Sequence, residues 1–423
     1  GGRHLIRHRR HLGLRLLPEI RSVISEMSNH TLLGRLSGLH QMMSDLLQAP
    51  PEPAVRTTTH PALAPPAWYF GRAVYLETYW LREVIQGDAG MTARVREIFT
   101  PGALPEQEQW RRLPPREHLI NWALELWDEN LSRLANPRQL PQHPLRERDR
   151  HLHILLQEGG RLYEQMLMAM TEWRLLADTP YQCRTPLAAT APQPDMTGIS
   201  QGHYRIGARD DPAAYNNEQP AQIIRLSSFQ IDRRPVTNAN YLAFMQAGGY
   251  SESGFWDAPA LIPEQPHPRH WRQDNHGGWY GVGLNGASDL IGSDPVMGVS
   301  QHEAQAYARW LDSLAGPFAG AVLQHEYQWE AAVRIQAIEY QGRVWEWCAN
   351  PFHPYSDYLP SGYGEGRTGD FDQQLTSLRG ASLHTQPSLR RISFRNRAPA
   401  RANWLFAGFR LVYPPIAIES GHA

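Results

Sequence analysis

A chain of 423 residues with 41 Lys+Arg against 42 Asp+Glu carries a formal net charge of −1, which gives no global electrostatic reason to expect a nucleic-acid or membrane partner. Its length exceeds what one ordinary hydrophobic core fills, so two domains are expected. Two cysteines, Cys183 and Cys348, exclude a disulfide scaffold and fit a reducing, cytoplasmic setting, and no apolar run approaches the roughly 18 residues that span a bilayer.

The start, GGRHLIRHRRHLG, lacks Met and is rich in Arg and His; it reads as a tag remnant or truncated start rather than a targeting peptide. From Leu14 to Leu47, apolar residues including Leu32, Leu36, Leu39, Met43 and Leu47 recur at helical spacing, predicting one or two amphipathic helices with a break near Ser28-Asn29. Ala49 to Pro66 is dense in Pro and Thr and reads as a surface linker. Trp68 to Val84 predicts a second helix with an aromatic face, Leu119 to Leu134 a third, and Asp149 to Leu176 a long fourth. Four helices joined by linkers pack naturally as an up-and-down bundle.

After Leu176 the texture changes. Thr179 to Pro194 holds four prolines and no helical period, which marks a domain boundary. Downstream, short alternating runs such as Ile223 to Ile231 and Arg410 to Tyr413 are separated by Gly, Pro, Asn and Asp, with helices expected at Asn238 to Gln246 and Gln301 to Leu314. This mixture indicates an α+β domain. The expected division is a helical bundle over 1–178, a linker over 179–194 and an α+β domain over 195–423.

Five separated pieces of the second half fall in a recognisable order: Val344-Trp345-Glu346-Trp347, Pro354-Tyr355, Leu378-Arg379-Gly380-Ala381-Ser382, Phe394-Arg395-Asn396 and Phe406-Ala407-Gly408-Phe409-Arg410-Leu411. They resemble the C-terminal domain shared by formylglycine-generating enzymes and ergothioneine-type sulfoxide synthases. Upstream, Pro65-Pro66-Ala67-Trp68, Gly71, Glu77 and Tyr79-Trp80-Leu81-Arg82 resemble the second helix of the DinB-like domain of ergothioneine and selenoneine synthases. The resemblance implies a four-helix DinB-like bundle followed by a C-type-lectin-like α+β domain. It implies carbon–sulfur or carbon–selenium bond formation on a histidine derivative, at an iron(II) centre held by three histidines.

Those three positions differ here. The second-helix ligand position is occupied by Arg72, and the fourth-helix His-Glu-x-x-His pattern is best matched by Gln157-Glu158-Gly159-Gly160-Arg161, while an alignment anchored on Glu164 places Glu158 and Leu162 there instead; under neither does a histidine survive. Arg is always protonated and only donates, so neither guanidinium can ligate a cation. No bound metal or other cofactor is expected from these motifs. Two readings stay open: Arg72 and Arg161 pair with Glu77, Glu158 or Glu164 as ordinary salt bridges, or the cation site has become a site for a carboxylate or phosphate. In the synthases, the Asn after the Phe-Arg pair and the following aromatic residue help hold a trimethylated histidine. Here Asn396 matches, but Arg397 follows, and its fixed charge opposes a quaternary ammonium unless it faces solvent.

The candidate ligand-binding set is therefore Arg72, Arg161, Asn396 and Arg397, for a small and possibly anionic molecule. The nineteen histidines form no ligand triad by spacing: His151 and His153 point to different helix faces, and His267, His270, His325, His353 and His384 read as surface or structural residues. Cys348 stands alone near the C-terminus, whereas formylglycine-generating oxidases use a pair of cysteines there to hold copper; it reads as a small buried residue. Trp345, Trp347, Tyr355 and Tyr358 read as core that can also wall a pocket. Two functions remain: a divergent member of the sulfoxide/selenoxide synthase family, or a metal-free binding or regulatory pseudoenzyme with an arginine-lined inter-domain pocket.

Overall fold

The computed structural model describes residues 18–177, 180–360, 371 and 374–415, with the side chains of 18–28 excepted. The chain start and the Thr179 end of the expected boundary lie outside the described residues.

The first half is helical. Helix α1 (Pro18–Gln48) buries Leu32, Leu36, Leu39, Met43 and Leu47, the stripe the spacing predicted. It runs unbroken through Ser28-Asn29, because a Ser or Asn costs a helix interior only about half a kcal/mol and burial of that stripe outweighs it. Helix α2 (Pro66–Thr78) is buried at all of its residues and is the centre of the helical layer. It does not continue as α-helix to Val84 but widens into a π-helical stretch, Tyr79–Ile85, where Arg82 reaches Asn130 and Glu129. Helices α3 (Arg116–Ala135) and α4 (Arg150–Leu176) complete the set; α1 and α2 each pack on both α3 and α4. The expected linker holds one short helix, Glu52–Arg56, that buries Ala54 and Val55.

Among the described residues the second half forms four sheets. One orders as β1-β4-β13-β8, from Met196–Ile199, Phe229–Asp232, Leu411–Tyr413 and Val322–Leu323. A second orders as β11-β10-β9-β12, from Asn396–Pro399, Leu375–Gly380, Trp345–Pro351 and Ala407–Phe409. In this sheet β12 runs parallel to β9 and the other pairs are antiparallel. Two smaller sheets join β2 (Gly202–Ile206) to β3 (Gln222–Leu226) and β5 (Trp271–Gln273) to β6 (Trp279–Gly283) and β7 (Gly286–Asp289). Helices α5 (Asn238–Gln246), α6 (Gln301–Ser313) and α7 (Glu326–Arg334) pack with them. Cys183 and Cys348 are both buried and unbridged.

The arginines of the C-terminal motifs are core residues. Arg379 donates to Glu326 at 3.0 Å and to Glu330 at 2.5 Å, Arg395 donates twice to Glu326 at 2.9 and 2.7 Å, and Arg410 donates twice to Glu346 at 3.0 Å. All six side chains are fully buried. Burial alone would push the Glu326 carboxyl up, but Arg395 and Arg379 beside it hold it well below the usual range. A charge that deep persists only when paired and hydrogen-bonded, so Leu-Arg-Gly, Phe-Arg-Asn and Phe-Arg-Leu mark where the sheets and α7 lock together.

Helix α4 joins the two halves. Two adjacent glycines thin it at the junction: a Cβ on Gly159 would come within 2.8 Å of Leu39 on α1, and one on Gly160 within 3.2 Å of Gln386 in the sheet domain. Polar contacts follow along the same helix. Gln157 donates to the Ala213 carbonyl at 2.9 Å, and Glu158 accepts from Tyr215 at 2.8 Å. About four turns further, Glu172, 1% exposed, takes both arms of Arg269 at 3.1 and 2.6 Å.

Candidate functional site

A cavity of about 380 Å³ lies where α4 meets the edge of the β11-β10-β9-β12 sheet. Helical spacing places Arg161 and Glu164 on one side of α4, since positions three apart are neighbours, and both line the cavity. Across it stand Asn396 and Arg397 on β11, the edge strand, and Arg401 just beyond. Trp345, Phe394 and Trp404 supply aromatic wall, and Leu63 and Met168 supply aliphatic wall from the helical half.

The polar groups are unequal. Glu164 is buried, and its carboxylate accepts from Trp345 Nε1 at 2.8 Å, from Ser382 Oγ at 2.6 Å and from Thr385 Oγ1 at 2.9 Å. Burial pushes its carboxyl pKa up, against the lowering effect of those donors. Its lone pairs are thus committed to the sheet domain and its negative charge is disfavoured. Arg161, Arg397 and Arg401 carry permanent positive charges, so the cavity wall holds three guanidiniums. The Arg397 guanidinium lies 5.1 Å from the Phe352 ring centroid, and its backbone N–H donates to Asn396 Oδ1 at 2.9 Å. An oriented guanidinium beside an amide and flat aromatic walls supplies charged donors and apolar surface of the kind that suits a carboxylate or phosphate on a planar or apolar body.

The structure brings Arg161, Asn396 and Arg397 together and leaves Arg72 apart. Arg72, expected at the same pocket, is buried on α2 and donates to the Phe99 carbonyl, 5.7 Å from the Trp68 ring. The cause is the neighbouring Gly71, whose missing Cβ lets the Phe99 ring settle where such an atom would lie 2.3 Å away. Gln157 also faces elsewhere, donating to the His153 and Ala213 carbonyls, both at 2.9 Å. Sequence reasoning missed Arg401, Trp404 and the anchoring of Glu164. The one available signal was the density of arginine over Arg395, Arg397 and Arg401.

The iron that the resemblance implied does not fit this donor set. Positions 72 and 161 carry guanidiniums, which only donate, and the Gln157 amide nitrogen is engaged by two carbonyls. Among the described residues, no group of three or more His, Cys, Asp or Glu side chains is arranged to hold a metal ion. No helix among them is long and apolar enough to cross a membrane.

Comparison with known proteins agrees with this architecture. The profile of the sulfatase-modifying factor enzyme 1-like domain matches residues 184–342 and 336–414. A protein of Mycobacterium tuberculosis named hercynine oxygenase is 28% identical over 256 residues, covering 49% of this chain and 58% of its own length. Its namesake in Mycolicibacterium smegmatis is 26% identical over 308 residues, covering 59% of this chain and 68% of its own length. A formylglycine-generating enzyme of Thermomonospora curvata is 33% identical over 159 residues, covering 33% of this chain and 48% of its own length. The chain thus spans between about half and two thirds of the length of the curated relatives it matches.

Proposed function

The chain belongs to the sulfatase-modifying factor enzyme 1-like family through residues 184–414, and from that premise we propose that its inter-domain cavity binds a small anionic molecule with a planar or apolar body. One observation carries the reading: Arg161, Arg397 and Arg401 face one cavity in which the acidic residue, Glu164, is already committed to Trp345, Ser382 and Thr385. An anion entering there meets guanidinium donors in a partly desolvated space, where each charged hydrogen bond contributes about 1.5–3 kcal/mol. The aromatic walls favour a flat group beside the acid.

Calorimetric titration with benzoate tests this. Arg161→Ala and Arg397→Ala should each weaken benzoate at least about tenfold, since loss of one charged hydrogen bond of that size corresponds to roughly that factor. Undiminished binding in both folded variants would refute the reading.

A second reading is favoured by the relatives named hercynine oxygenase: an oxidative reaction on a histidine derivative within the same cavity, with iron positions substituted. The two part on one measurement. The binding reading expects no stoichiometric site in an anaerobic iron(II) titration, and the oxidative reading expects one.

A further inference from the structure

A second cavity, of about 310 Å³, lies in the sheet domain beside β5–β7 and is lined in part by His270, Trp271, Leu290, Met297, Val344 and Leu383. Its polar group is unusual. His270 is 3% exposed, and neither of its ring nitrogens has a hydrogen-bond partner among the described residues. Buried polar atoms in native proteins are overwhelmingly partnered, and an orphan calls for a reason; two on one ring call for one more strongly.

The ring is held in place by construction. Its residue is fixed by the Val282 N–H, which donates to the His270 carbonyl at 2.8 Å. The ring itself stands over Gly298, where φ is +81° and a Cβ would lie 2.7 Å from Nδ1, and its centroid is 6.1 Å from that of Phe406. Only a glycine leaves room for this placement. Burial also keeps the imidazole neutral, its pKa lowered to about 4 with Arg269 and Arg272 adding to the effect. A neutral imidazole offers one N–H donor and one nitrogen acceptor.

The charged groups at the rim are engaged elsewhere. Asp289 accepts from Tyr181 at 2.7 Å and from the backbone N–H groups of Arg184 and Thr185 at 3.1 and 2.7 Å. Asp294 faces Arg343 at 3.9 Å, and Arg343 also lies 4.5 Å from the Tyr340 ring. What the cavity offers a ligand, besides the Asn238 and Ser288 side chains in its lining, is therefore apolar wall and an imidazole that both donates and accepts.

We propose that this cavity is a second ligand site, taking a small neutral molecule that carries one hydroxyl on an apolar body, with the hydroxyl paired to His270. A hydroxyl both donates and accepts, matching either tautomer, and the volume sits in the range of small-molecule pockets. The site is independent of the arginine cavity, whose lining includes neither His270 nor Trp271.

Phenol and benzene, alike in shape and differing in one hydroxyl, are the probes. Calorimetry on the full chain should show saturable phenol binding at least about tenfold tighter than benzene, the worth of roughly one well-made hydrogen bond. His270→Phe should abolish the difference and His270→Gln should keep part of it. The nitrogen-15 shifts of the His270 ring should move with phenol and not with benzene, a readout that stands even if His270→Phe fails to fold. Arg161→Ala should leave phenol binding unchanged. Equal affinity for the two probes, no saturation, unmoved His270 shifts, or loss of phenol binding in Arg161→Ala would each overturn the proposal.

Discussion

The indole N–H of Trp345 donates to the Glu164 carboxylate at 2.8 Å, joining strand β9 to helix α4 across 181 positions of sequence. Ser382 and Thr385 reach the same carboxylate, so one acidic side chain ties the helical half to the sheet half and forms part of the cavity floor. Glu164→Ala leaves three buried donors without their acceptor, which should cost about 2–3 kcal/mol. Urea unfolding should show a lower midpoint with an unchanged slope, and Glu164→Gln should lose less because it keeps an acceptor oxygen.

The buried pair of Arg395 and Glu326 makes a steeper prediction. Arg395→Leu leaves a carboxylate with one of its two arginines gone in a dry core, and breaking such pairs costs about 3–5 kcal/mol. Arg234→Ala, which removes a half-exposed partner of Glu339 at 3.3 Å, should cost less than about 1 kcal/mol. Thermal melts of the two variants separate the outcomes.

The buried histidines should make a pH-dependent contribution to stability, opposed in sign by the buried carboxyls of Asp232 and Glu303, whose pKa values burial raises to about 7. Burial lowers the His270 pKa to about 4, and burial also lowers His151 to about 4. Both rings are neutral in the native chain, whereas the unfolded chain takes up protons near pH 6.5. Their contribution to stability is therefore fully present above pH 6.5, is lost as pH falls toward 4, and levels off below. Each ring contributes on the order of 3 kcal/mol over that window. Urea midpoints at pH 7.5 and 4.5 should differ accordingly, and the difference should shrink in His151→Leu. A pH difference unchanged in His151→Leu would contradict the burial of that ring.

Gly160 tests the docking of α4. Gly160→Leu forces a side chain against Gln386, where even a Cβ has 3.2 Å, and overpacking of this kind costs about 1–3 kcal/mol. Because the strain falls on the inter-domain contact, benzoate binding should drop along with stability. A substitution at exposed Glu117 should affect neither.

The helices were legible because their burial is periodic: the α1 stripe from Leu32 to Leu47 can be read off by counting, as can Asn238–Gln246. The π-helical turn at Tyr79–Ile85 was not, since no residue type announces an extra residue per turn. The C-terminal motifs were visible as Arg379, Arg395 and Arg410, yet their partners Glu326, Glu330 and Glu346 lie 49 to 69 positions away, and pairing over such separations is set by topology. The same holds at the cavity. Spacing placed Arg161 and Glu164 on one side of α4, but nothing in the sequence showed that Phe99 would take the space beside Gly71 and leave Arg72 inside the helical layer.

The central claim is that the arginine cavity selects negative charge, and the direct measurement is the affinity of the wild-type chain for benzoate against benzamide, two ligands of nearly the same shape. A site built on Arg161, Arg397 and Arg401 should prefer benzoate by at least about tenfold, with the preference shrinking as salt screens the partly open cavity. Equal affinities, or a preference for benzamide, would contradict it.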